Sequence, residues 1–93
     1  MNDAILVTID SLRADHVGCL GYDRETTPNI DSLASESALF ENAFAHACST
    51  RPSFPSILTS SYPLMYGGYE QISEGRTLIS ETFDEADYRT GGF

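Results

Sequence analysis

Ninety-three residues suffice for one small domain with a modest core and no more. Fourteen acidic residues face five basic ones, a net charge of -9, and a field of that sign excludes nucleic acid and anionic membrane surfaces as partners. With 41% apolar and 11% aromatic residues, the composition also lies outside that of disordered chains.

All five bases are arginine and lysine is absent. Acid excess without lysine points to a halophilic setting, where salt screens acidic self-repulsion. Two cysteines, Cys19 and Cys48, make neither a disulfide framework nor a zinc spacing, so each is expected to be a buried free thiol. The start, Met1-Asn2-Asp3, carries no basic segment, and the apolar run that follows is too short for a secretory signal or a membrane span. These features give the expectation of a soluble, cytoplasmic chain.

Residues 4–9 form a nearly continuous apolar, β-branched run ending at Asp10, as in a strand buried on both faces of a parallel sheet. Residues 11–16 suit a short helical turn, and residues 18–26 a loop with a turn at Gly21-Tyr22-Asp23. Thr27 and Pro28 read as N-cap and first helical position of a helix to about Glu36, with Ile30, Leu33 and Ala34 on its apolar side. Residues 38–47 alternate partially and predict a strand. A second helix is expected from Thr50 to about Ser60, ended in its following loop by Gly67-Gly68, and a third from Thr77 to Asp87. Residues 88–93 resemble the beginning of another strand. The order is that of the opening of an α/β fold, and a strand begun at the last residues predicts a fragment of a longer domain.

Two features carry chemistry. Asp10 ends a buried strand, where open α/β sheets place ligands, although an aspartate there is also a common turn former. Thr50 precedes Arg51-Pro52-Ser53 at a helix start, where its hydroxyl serves as an N-cap. That place also offers unpaired N–H groups and the positive dipole end to a sulfate or phosphate. A hydroxyl needs a metal or base to become a nucleophile, so Thr50 would require a cation held by residues such as Asp10. His16 and His46 are expected to be structural, His46 being the one near the Thr50 loop.

Three blocks, ILVTIDSLRADHVGCLGY (5–22), TTPNIDSLASESALFENAFA (26–45) and TRPSFPSILTSSYPLMYGGY (50–69), together resemble the start of the sulfatase family of the alkaline-phosphatase-like superfamily. The family pattern is a nucleophilic Cys or Ser, any residue, Pro, Ser, Arg, and later Thr-Gly. In that register Thr50 stands at the nucleophile, Pro52, Ser53 and Thr59 match, Phe54 replaces the arginine, and Ser60 replaces the glycine. Cys48 is out of register, with its proline four residues on instead of two. The paired aspartates of the family reduce to Asp10 followed by Ser11. Sulfatases oxidise the Cys or Ser to formylglycine, an aldehyde threonine cannot give; threonine nucleophiles belong to phosphodiesterases, phosphonoacetate hydrolases and glycerophosphate transferases of the superfamily.

The resemblance implies an α/β fold with a mixed, mainly parallel sheet flanked by helices, of which residues 1–93 are the N-terminal part of the catalytic domain. It implies in-line displacement at sulfur or phosphorus of a small-molecule or glycan ester, with Thr50 as nucleophile. Asp10 and Thr50 would bind a divalent metal (Ca, Mg, Mn or Zn). The remaining ligands, an Asp-His or Asp-Asn pair with further Lys and His, lie far downstream in family members, so the remainder of the same catalytic domain is a required partner and the 93-residue chain alone is expected to be inactive. The alternatives are a phosphoryl-type transferase of the superfamily and a non-catalytic truncated remnant.

Overall fold

A computed structural model describes residues 2–67, 69 and 71–93. Backbone contacts divide the chain into two units, Met1–Ala43 and Phe44–Phe93. Among the described residues no helix is long and apolar enough to cross a membrane.

The first unit is built on two short 3-10 turns, Ala14–His16 and Gly18–Leu20, and helix α1, Pro28–Ser35. Proline at the first helical position supplies a helical φ and lacks only an N–H that would have no intrahelical partner. Thr27, however, makes no side-chain cap to its own helix. Its Oγ1 instead accepts the Gly18 N–H at 3.0 Å and donates to Asp31 Oδ1 at 3.1 Å. Asp31 Oδ1 also accepts the Cys19 N–H at 2.8 Å. One carboxylate thereby ties α1 to the second 3-10 turn, and a Cβ on Gly18 would collide with it. The turn closes at Gly21, whose φ of 102° is left-handed.

The second unit contains α2, Thr50–Thr59, a 3-10 turn at Pro63–Met65, and α3, Ile79–Glu85. Tyr66, only 4% exposed, donates its hydroxyl to the Pro52 carbonyl and anchors the 3-10 turn on α2. α3 starts with the Leu78 N–H on Glu81 Oε2 at 2.7 Å. It ends with Asp87 at φ 63°, Tyr88 N–H on Phe83 O at 3.0 Å, Asp87 N–H on Asp84 O at 3.0 Å, and the Phe83 and Tyr88 rings edge to face. That is a Schellman end with its apolar contact, formed on aspartate where glycine is usual.

All three expected helices are present, the third trimmed from residues 77–87 to Ile79–Glu85. The expected strands are not. Residues 4–9, 38–47 and 88–93 have no strand among the described residues, so the mixed parallel sheet is not seen in this part of the fold. A strand exists through its ladder with neighbours, and apolar alternation supplies the side chains but not the partner. Ile5 and Val7 accordingly stand 88% and 73% exposed. Gly68, expected with Gly67 to end the loop after α2, lies outside the described residues; Gly67 has φ 90°.

Candidate active site

The end of the residue 4–9 run places Asp10 in an exposed turn with Ser11, whose φ of 58° is left-handed. A non-glycine residue in that region stores roughly 1–2 kcal/mol of strain, the kind of backbone that recurs at ligand-holding turns. Asp10 belongs to the first unit and Thr50 to the second.

Thr50 is exposed and occupies the first position of α2; the N-cap is Ser49, extended at φ -144° and ψ 160°. The expected capping role of Thr50 is therefore corrected by one residue. Ser49 makes no side-chain cap either. Ser53 Oγ instead donates to the Ser49 carbonyl at 2.7 Å and approaches Ala47 O at 3.2 Å. Pro52 brings no N–H to the first turn, and the Ser53 N–H is used on Ser49 O at 3.3 Å. The dipole end at Thr50 and Arg51 is thus not neutralised by the side chain of its own N-cap, and Arg51 adds the only cationic side chain of α2.

Behind this turn lies a chain of hydroxyls. Ser56, 1% exposed, donates to Ser61 O at 2.5 Å and meets His46 Nδ1. Thr59 Oγ1 donates to Pro55 O at 2.6 Å and accepts from Ser61 Oγ at 2.6 Å. The His46 ring lies 5.0 Å from that of Tyr62. The sequence marked His46 as structural, and it is bonded; its partner, a serine two turns into the helix, was not legible, because nothing in the pattern shows which hydroxyl of a helix turns inward. Ser60 ends α2 at φ 52°, at the place where the family pattern has glycine.

In the first unit, Arg13 Nε and Nη2 grip Asp15 at 2.9 and 2.6 Å, and Asp15 Oδ1 also meets His16 Nδ1 at 2.9 Å. The guanidinium bonds, with that of His16, hold the Asp15 carboxyl well below the usual carboxylate range. Both cysteines are free, as expected, but Cys48 is exposed and not buried, since its loop crosses the surface ahead of α2. Cys19 is half-buried, and desolvation together with Asp31 pushes its thiol pKa up.

The sulfatase family model matches residues 2–93. The chain belongs to the sulfatase family. It is 37% identical to mouse iduronate 2-sulfatase over 92 residues, covering 92% of this chain and 16% of that protein. It is 36% identical to an arylsulfatase of Clostridium perfringens, covering 92% and 19%, and 30% identical to an N-acetylgalactosamine-6-O-sulfatase of Bacteroides thetaiotaomicron, covering 94% and 19%. The chain thus spans less than a fifth of the length of these sulfatase relatives. No solved structure matches it.

Sulfatases are generally dependent on a divalent metal. Asp10 and Thr50 are hard oxygen donors, suited to magnesium or calcium. Among the described residues, however, no cluster of three or more His, Cys, Asp or Glu could hold a metal, and two oxygens fall well short of a coordination sphere of six or so. Among the described residues the donor set does not close.

Proposed function

We propose that the chain is the N-terminal part of the catalytic domain of a sulfate ester hydrolase in which Thr50 is the nucleophile. The observation that carries this reading is the family match over residues 2–93; the likeness of Thr50-Arg51-Pro52-Ser53 to the family's nucleophile pattern, on a helix start without a side-chain cap, supports Thr50 in that role. The N–H groups and dipole of that first turn suit the anionic sulfuryl group, and Arg51 supplies positive charge near the position where Phe54 replaces the family arginine. Thr50 Oγ attacks sulfur in line, the ester S–O bond breaks, and the departing alkoxide takes up a proton. Water then attacks sulfur, freeing sulfate and restoring the Thr50 hydroxyl. Asp10 and Thr50 would each offer an oxygen to a divalent metal (Ca, Mg, Mn or Zn) whose other ligands are not supplied by the described residues; bound there, the metal would lower the pKa of the attacking hydroxyl and polarise the ester.

Thr50 itself favours a second reading. A secondary alcohol cannot be oxidised to formylglycine, so the site keeps a plain hydroxyl, as in phosphoesterases and phosphoryl-type transferases of the superfamily. Small-molecule or glycan sulfates are the primary substrate class, and phosphate or phosphonate esters the alternative. Turnover of 4-nitrophenyl sulfate and 4-nitrophenyl phosphate by the full-length protein separates the two. An added alcohol acceptor separates hydrolysis from transfer. Thr50→Ala is expected to lower kcat by at least about 10³-fold on the preferred ester. Unchanged turnover in that variant overturns the assignment of Thr50.

A further inference from the structure

The segment that delivers Thr50 to the head of α2, residues 44–49, contains no helix or strand of its own. Beside the backbone bond from Ser53 N–H to the Ser49 carbonyl, side chains of α2 hold it in place. The Ser53 hydroxyl reaches back to the Ala47 and Ser49 carbonyls. One position earlier, the His46 ring is bonded at Nδ1 to Ser56, the most deeply buried side chain of the second unit.

Proton counting orients that bond. Ser56 has one hydroxyl proton, and it is committed to the Ser61 carbonyl, which can only accept. Ser56 Oγ must therefore accept from His46, so His46 carries a proton on Nδ1 and leaves Nε2 on the outer side of the ring. The neighbouring hydroxyls leave Ser56 little freedom to turn, because Ser61 Oγ is itself taken by Thr59, and Thr59 by Pro55 O. Tyr62 packs against the imidazole. The ring is thus gripped by a buried donor–acceptor chain running along α2, while Ala47, next to it, is tied to the first turn of the same helix.

We propose that His46 is a positioning residue for Thr50: its Nδ1–H bond to Ser56 fixes the loop 46–49 along α2 and so sets where the Thr50 hydroxyl stands. This rests on Thr50 being the nucleophile. It assigns His46 no contact with substrate, and it makes the Nδ1 side of the ring, not Nε2, the functional side.

The substitutions follow from that geometry. Asparagine places its amide N–H close to the position of imidazole Nδ1 and so retains the bond to Ser56. Glutamine reaches the Nε2 position instead, and alanine retains neither. In the full-length protein, His46→Ala and His46→Gln are expected to lower kcat about 10- to 100-fold with KM within about twofold of the parent, the range for a displaced reacting group. His46→Asn is expected to restore most of kcat. Equal loss in His46→Asn and His46→Ala, or full activity in His46→Ala, overturns the proposal. A readout independent of turnover is the backbone amide spectrum: the Ser49, Thr50 and Arg51 resonances should move in His46→Ala and stay near the parent in His46→Asn. Thr50→Ala measured in parallel distinguishes the two failures. If Thr50→Ala is active, the nucleophile assignment falls and the proposal with it; if it is inactive and the His46 variants behave as the parent, only the positioning role falls.

Discussion

Asp15 carries two bonds from Arg13 and one from His16, yet all three side chains are largely exposed to solvent. Water screens such a cluster, so its geometry should be read by titration and not by stability. The folded carboxyl is depressed, chiefly by the Arg13 hydrogen bonds. A depressed acid contributes stability that is present above its unfolded pKa of about 3.9 and is lost as pH falls through the folded value. The Asp15 carboxyl carbon, followed by NMR from pH 6 downward, is therefore expected to remain ionised after the other exposed carboxylates have protonated. Arg13→Ala should return it toward the ordinary range. An Asp15 that titrates with its neighbours in the parent chain would show that the pair does not persist in solution. The same residue scale explains what was readable around the site: Thr50 and Asp10 were marked by their places in a pattern, whereas the Thr27–Asp31–Gly18 bond set and the His46–Ser56 bond depend on side-chain directions that spacing leaves open.

Helix ends show the same division between pattern and geometry. Pro28 announced the start of α1, and the segment after Ser49 announced α2, because capping and proline signals are local and survive whatever surrounds them. The strands failed to appear for the opposite reason: residues 4–9 have strand-forming side chains, but a strand exists only through pairing, and no ladder partner is present among the described residues. The end of α2 is informative in another way. Ser60 holds φ 52° at an exposed position, a conformation glycine adopts without a Cβ penalty. Ser60→Gly is expected to stabilise the folded chain by about 1 kcal/mol, less a few tenths regained by the more flexible unfolded chain. Chemical denaturation of parent and variant measures the difference, and a variant weaker than the parent would mean that the Ser60 side chain makes a compensating bond.

At the scale of the whole molecule, charge and apolar burial pull against one another. Val17 and Tyr66 are the buried core residues among those described. A chain with so thin a core is sensitive to small repulsive terms, and net charge -9 supplies them. They concentrate where they oppose structure most: Asp84, Glu85 and Asp87 crowd the C-terminal end of α3, against its dipole and with no base in its last turn. Salt should relieve this. The Debye length falls from about 10 Å at 0.1 M to about 3 Å at 1 M, below the spacing of most surface charges. We therefore expect the unfolding midpoint of the protein to rise by roughly 5 °C or more between 0.1 and 2 M KCl, equivalent to about 1 kcal/mol in a chain of this size. Glu85→Lys should raise the midpoint at 0.1 M and flatten the salt response, since it both lowers the net charge and complements the dipole. Repeating the scan in sucrose separates screening from general strengthening of apolar burial, because sucrose acts only on the latter. A midpoint that is flat or falling in KCl would show that the acidic surface is an ordinary solvated one and carries no adaptation to salt.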